Sequence, residues 1–210
     1  MKIGWLLGWA IPEAWFGPLV QAALPTAAHQ FFPADRDAMD RLVAATDLEH
    51  VVGYSLGAHL LLAAAARVSA HTPITLLAPI FAFPRERDLG GLVPTAQLRY
   101  LSRWLRRDPS AALRDFYARV GLDIPSELSA TASVEDLAWG LDVLLEGYVP
   151  PQLPKSWAAV CGSRDPLLDA NRLRALDPRI AILENATHHP APLLAAMAPR
   201  IVSATAHTFA

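Results

Sequence analysis

The 210-residue chain holds a single cysteine, Cys161, so an internal disulfide framework and a cysteine-built zinc cage are both excluded. One lone thiol fits a reducing compartment, and a cytoplasmic location is the expectation. An excess of positive charge is missing as well. Eighteen Lys and Arg stand against 20 Asp and Glu, a net of −2, whereas a nucleic-acid binder carries a basic footprint. No apolar run has the length of a bilayer span. The opening "MKIGWLLGWAI" imitates a signal peptide, but Pro12 and Glu13 cut it short and no small-residue cleavage site follows at once. It reads instead as a first strand. The Leu/Ala-rich run after Ser55 is likewise interrupted by Arg67. Neither a membrane nor a nucleic acid is an expected partner, and a monomer is the expectation.

What is present is apolar material in a regular order. Hydrophobic residues make up 53% of the chain, enough for a sizeable core. Short apolar runs at 2–8, 28–33, 49–54, 73–79, 156–161 and 179–184 read as strands. Helical patterns at 13–23, 35–46, 56–70, 166–175 and 190–205 fall between or after them. Strands joined by crossover helices predict a mostly parallel sheet of about six strands, covered on both faces. Residues 83–154 break the rhythm with three helical patterns and no convincing strand. In "QLRYLSRWLRRD", Leu98, Leu101, Trp104 and Leu105 share one helical face, while Arg99, Arg103, Arg106 and Arg107 share the other. Leu113, Phe116, Tyr117 and Val120 make a second stripe, and Ser133 caps a third helix bearing Leu137, Leu141, Leu144 and Leu145. The expected organisation is a core of residues 1–82 and 155–210 with a helical lid, 83–154, inserted.

One short stretch carries chemistry. Gly53-Tyr54-Ser55-Leu56-Gly57 matches G-x-S-x-G, with "LEHVV" as the strand before it and "LGAHLLLAAAARV" as the helix after it. A strand that turns sharply into a helix strains its corner residue and crowds the positions two before and two after, which favours glycine at both. The corner hydroxyl then projects above the sheet edge. The amide of Leu56 faces the same spot from a helix N-terminus, where partial positive charge favours an oxyanion.

A nucleophilic serine needs a base and a carboxylate that orients it, in the chain order Ser, acid, His. "WAAVCGSRDPLLD" ends a late strand and puts Asp165 in the next loop, with Asp169 or Glu184 as competitors. "RIAILENATHHPAP" ends the final strand and puts His188 and His189 in its loop. Loops at the carboxyl ends of neighbouring parallel strands share one edge of the sheet, so these groups can converge. His29, His50, His59, His71 and His207 read as structural or surface residues.

With these motifs the sequence resembles the α/β-hydrolase superfamily over nearly its whole length. Within it, the chain is most similar to the small esterases acting on pimeloyl-[acyl-carrier protein] methyl ester in biotin synthesis. "GWAIPEAWF" resembles that group's Gly-Trp-led loop, "GYSLGAHL" its elbow, "GSRDPLLD" its acid loop, and "ATHHPAP" its Ala-x-His-x-Pro loop. The usual His-Gly before the first loop is Leu7-Gly8 here, and the turn after the second strand is "FFPADRDAM". The resemblance implies a three-layer α/β-hydrolase fold with Ser55 as nucleophile, Asp165 as acid and His188 as base, since Pro190 lies two residues after it. His189 is the fallback. Trp9 would supply the second oxyanion amide beside Leu56.

The implied activity is a serine carboxylesterase without metal or organic cofactor, acting on a small or acyl-carrier-linked ester. Phe81, Phe83, Trp104, Phe116, Tyr117, Trp139 and Leu141 are candidates for an apolar acyl tunnel. Between Arg85 and Arg119, eight Arg face four acids. This locally basic surface, through Arg99, Arg103 and Arg106, is a candidate dock for an acidic acyl-carrier protein. Two alternatives share the scaffold: a lyase of the menaquinone-pathway type, which needs arginines inside the pocket, and a binding protein that performs no chemistry.

Overall fold

In a computed structural model describing residues 1–68, 71–128 and 132–206, the chain begins β1 (Lys2–Leu6), α1 (Glu13–Ala23), β2 (Ala28–Phe32), α2 (Ala38–Ala44), β3 (His50–Tyr54), α3 (Leu56–Ala63) and β4 (Ile74–Leu77). An intervening section holds β5 (Ala82–Pro84), β6 (Gly90–Val93), α4 (Thr95–Arg107), α5 (Pro109–Val120) and α6 (Val134–Glu146). The chain then closes with β7 (Ala158–Gly162), α7 (Ala170–Leu176), β8 (Ile180–Leu183) and α8 (Pro190–Ala206).

Six strands form one sheet in the order β2-β1-β3-β4-β7-β8, and every neighbouring pair is parallel. The sequence explains which strands lie inside. His50–Tyr54 and Ile74–Leu77 are buried at every position, as continuous apolar strands covered on both faces must be. β2, "AHQFF", lies at the edge and is only partly buried. From β1 the chain steps outward to β2, then crosses back over β1 to lay down β3. Right-handed crossovers therefore put α1 on one face and α2 and α3 on the other. α8 returns to the first face, where it packs against α1. The reversal between β1 and β3 opens a crevice at the carboxyl ends of those two strands.

Three expected helices are shorter than their patterns, the first two for a local reason. The 35–46 pattern becomes Ala38–Ala44 because the Asp35 carboxylate accepts the Asp37 N–H and makes a turn first. The 166–175 pattern becomes Ala170–Leu176 because Asp165 takes the N–H groups of Leu167 and Leu168. The 56–70 pattern ends at Ala63, and its last two positions lie outside the described residues.

The three helices expected in the intervening section are present. Asp108 caps α5 by accepting the Ala111 N–H, and Ser133 caps α6 by accepting the Asp136 N–H. Leu98 and Leu105 of α4 are buried, and α4 packs on both α5 and α6. The expectation of no strand here is corrected, since β5 and β6 form a small parallel pair. Segments of three and four residues containing Pro84, Gly90 and Gly91 are too short to show a period of two. This pair touches the main body: the Leu92 N–H donates to Leu167 O (2.9 Å), and the Asp169 N–H donates to Gly90 O (2.8 Å). Among the described residues, no helix is long and apolar enough to cross a membrane.

Candidate active site

Ser55 stands at the corner between β3 and α3 with φ 54° and ψ −115°, a region that costs a non-glycine residue about 1–3 kcal/mol. The surroundings hold it there. Its N–H donates to Leu77 O (2.9 Å) on β4, and its carbonyl accepts the His59 N–H (3.1 Å) to start the helix. Room is the other requirement. A Cβ on Gly57 would run into the carbonyl of Leu6 at the end of β1, and one on Gly53 would lie 2.6 Å from a Leu61 methyl. The two glycines of the motif are therefore positions of close approach.

Three loops bring their polar groups to this corner. The His188 ring places Nε2 3.0 Å from Ser55 Oγ and Nδ1 2.7 Å from Asp165 Oδ2. Ser55 is 8% exposed, Asp165 5% and His188 2%. An ionised carboxylate accepts only, so Nδ1 carries the proton, Nε2 offers its lone pair, and the serine hydroxyl donates to it. Asp165 divides its oxygens: Oδ2 faces His188, while Oδ1 takes the N–H groups of Leu167 (2.8 Å) and Leu168 (3.2 Å). It is thus both a turn residue and the partner of the imidazole.

The competing residues lie elsewhere. His189 is turned toward Asp123 (3.4 Å) and Trp15, and its Nδ1 accepts the Ala191 N–H at the start of α8. Asp169 caps α7 by accepting the Arg172 N–H, and Glu184 is exposed. His29 lies between Trp5 and the Leu24 carbonyl, His50 is buried against Thr75, and His59 is buried against the Ile80 carbonyl. His71 is exposed, and His207 lies outside the described residues. One contributor was missed by the sequence reading. The Tyr54 hydroxyl donates to the His188 carbonyl (2.8 Å), and its ring centre lies 5.3 Å from the imidazole. Burial, with the nearby Asp165 charge, pushes the phenol well above its ordinary pKa, so it stays a donor. Its place inside the elbow motif was the available signal.

The loop after β1 runs beside the nucleophile, for a Cβ on Gly8 would lie 3.2 Å from Ser55 Cβ. Trp9 follows and is buried, its indole N–H donating to Leu137 O (2.8 Å) on α6. Leu56 is the first residue of α3 and fully buried. An apolar cavity of about 130 Å³ lies between this loop and the intervening helices, lined by Trp9, Phe83, Trp104, Phe116, Leu141 and Leu167. Four of these are among the candidate tunnel residues. Phe81 and Tyr117 are buried, and Trp139 is half-buried. A wider cleft of about 660 Å³ borders Gly8 and Ala10, with Glu13, Asp35 and Asp136 on its walls. Arg99, Arg103 and Arg106 are exposed on α4, and so are the other five Arg between 85 and 119, of which Arg119 borders the apolar cavity. Among the described residues, no group of three His, Cys, Asp or Glu is placed to hold a metal ion.

A six-stranded parallel sheet with an elbow serine is the framework of a large hydrolase class. The model of the alpha/beta hydrolase family matches residues 9–204, and the chain belongs to that family. No curated protein matches it. Among solved structures it is similar to an esterase from Exiguobacterium antarcticum (TM-score 0.74, 11% identity, 98% of this chain and 92% of that one). It is also similar to a thermophilic esterase from Thermogutta terrifontis (TM-score 0.69, 12% identity, 99% and 90%). A third similar structure is the bottromycin epimerase BotH (TM-score 0.67, 16% identity, 96% and 89%). At such identities the likeness shows the fold alone, and this fold hosts more than one reaction.

Proposed function

We propose that the chain is a serine hydrolase of carboxylic esters in which Ser55 attacks, His188 moves the proton and Asp165 orients the ring. The observation that carries this reading is the hydrogen-bonded line from Ser55 Oγ through His188 to Asp165, at 3.0 and 2.7 Å, ending on a strained corner. As Oγ bonds to the ester carbonyl carbon, its proton passes to His188 Nε2. The imidazolium is stabilised by Asp165 and then protonates the leaving alcohol. Water repeats the sequence on the acyl-enzyme and releases the acid. The Leu56 and Trp9 amides are assigned to the oxyanion, one from the start of α3 and the other from the loop beside Ser55.

The acyl group is assigned to the apolar cavity that Trp9 and Leu167 border, since Leu167 hydrogen-bonds Asp165 and Trp9 follows Gly8 beside Ser55. A cavity of about 150 Å³ accommodates benzene, so about 130 Å³ corresponds to a short acyl chain on the order of six carbons. The leaving group is a small alcohol; by resemblance to the pimeloyl-[acyl-carrier protein] methyl ester esterases of biotin synthesis, the carrier would be attached at the far end of the acyl portion. The acidic carrier would dock on Arg99, Arg103 and Arg106 of α4, which carry no ion pair among the described residues. A menaquinone-pathway type of lyase is less favoured, because it needs several arginines in the pocket and, among the described residues, Arg119 alone of the eight between 85 and 119 borders the apolar cavity. A binding protein without chemistry would have no use for the aligned donor line.

Turnover of p-nitrophenyl esters of graded chain length tests the reading. Wild-type protein is expected to hydrolyse acetyl to hexanoyl esters and to lose rate on longer chains, and Ser55→Ala to fall to background. Activity that survives in Ser55→Ala contradicts the nucleophile.

A further inference from the structure

The intervening helices do more than cover the site: they grip the loop that carries the second oxyanion donor. From the side of α5, the Tyr117 hydroxyl donates to Ala10 O (2.6 Å). Ala10 has φ 57°, a left-handed conformation that a non-glycine residue adopts at a cost, so this contact holds the strained position just after Trp9. Also from α5, Phe116 meets the Trp9 indole edge-to-face with centroids 4.7 Å apart, and from the side of α6, Leu137 O accepts the indole N–H (2.8 Å). α6 also comes close: a Cβ on Gly140 would lie 2.6 Å from the indole and 3.2 Å from a Leu56 methyl. Tyr117 is buried, and burial pushes its phenol pKa upward, so the hydroxyl stays protonated as a donor.

We propose that Tyr117 is a positioning residue that, with the Leu137 carbonyl and the close approach at Gly140, sets the Gly8–Ile11 loop so that the Trp9 amide meets the oxyanion. The inference rests on the reading of Ser55 as nucleophile and Trp9 as oxyanion donor. It makes the helices a working part of the site, with a specific consequence. Trp9 and Phe116 also line the acyl cavity, so the group that fills the cavity presses on the indole of the residue whose amide is assigned to the oxyanion. Such a brace acts on the tetrahedral state, where charge develops on oxygen, and not on ground-state binding.

The test compares wild type with Tyr117→Phe, which removes one hydroxyl and keeps the ring, and with Gly140→Ala, which pushes the indole. Both are assayed on p-nitrophenyl butyrate and with an alkyl trifluoromethyl ketone, which adds to a serine as a tetrahedral oxyanion. Tyr117→Phe is expected to lower kcat about three- to tenfold, the effect of one hydrogen bond, with KM unchanged. Affinity for the ketone should weaken by the same factor. Gly140→Ala is expected to lower kcat and ketone affinity likewise through the indole and, because the indole lines the acyl cavity, to raise KM as well. A wild-type kcat and a wild-type ketone affinity in Tyr117→Phe overturn the brace while leaving the Ser55 reading intact. A wild-type protein that neither turns over the ester nor binds the ketone overturns both. An equal loss in KM and kcat with a lowered melting temperature marks a merely structural tyrosine and overturns it too.

Discussion

His50 seals an imidazole inside the sheet at 1% exposure, with Nε2 3.0 Å from Thr75 Oγ1 and no partner for Nδ1 among the described residues. Burial disfavours the cation and brings the pKa to about 4 from an ordinary 6.5. The unfolded chain therefore binds a proton between those values that the folded chain refuses. The stability is full above about pH 6.5 and is lost as pH falls toward about 4. A shift of this size corresponds to about 3 kcal/mol. Urea unfolding of wild type and His50→Gln across that window checks it: the wild type should lose stability more steeply, and matching slopes would refute the assignment. His29 and His59, also lowered by burial, add to the background in both proteins. These three were legible as structural histidines because each sits inside an element pattern and not in a loop after a strand. The difference between His188 and His189 was legible only through the proline spacing of the resemblance. In the structure it comes from backbone direction, with His189 turned to the helix start that it caps.

At the scale of elements, periodicity found all six sheet strands because buried parallel strands are continuous apolar runs. It overran the helix ends because Asp35 and Asp165 bond to nearby N–H groups, which no hydrophobic pattern records. β5 and β6 are too short to have a period at all. The grip of α5 and α6 on the first loop was illegible for a different reason: Tyr117 and Ala10 are 107 residues apart, and either side chain alone reads as core. α4 shows the opposite case, since its arginine stripe could be read directly and lies exposed as its helical period implies. Several acids near it are occupied elsewhere. Asp115 is bonded to Arg119, Asp88 to Arg172, and Glu86 accepts from Thr95. Neither of these two carboxylate–arginine pairs uses Arg99, Arg103 or Arg106, so that stripe keeps its charge. Replacing Arg99, Arg103 and Arg106 with Gln should reduce kcat/KM on an acyl-carrier-linked ester about tenfold or more at low salt and leave p-nitrophenyl butyrate turnover unchanged. Equal losses on the two substrates would remove the docking surface.

At the scale of the molecule, the site exists because three separate strands end at the same edge. Ser55 follows β3, Asp165 follows β7 and His188 follows β8, with serine and histidine 133 positions apart in the chain and histidine and aspartate 23. No local interaction joins them, so the order of strands in the sheet supplies the geometry, and Tyr54 ties the last loop back to the first. The parallel sheet and its edge could be inferred from the alternation of patterns. The distances could not, because they depend on how far each loop rises above its strand. The most direct test is reaction with a fluorophosphonate followed by peptide mass mapping, on wild type, His188→Ala and His189→Ala. One adduct is expected on Ser55 in wild type and His189→Ala, with labelling slowed at least a hundredfold in His188→Ala, from the loss of the general base. An adduct on another residue, or one that forms as fast without His188 as with it, would contradict it.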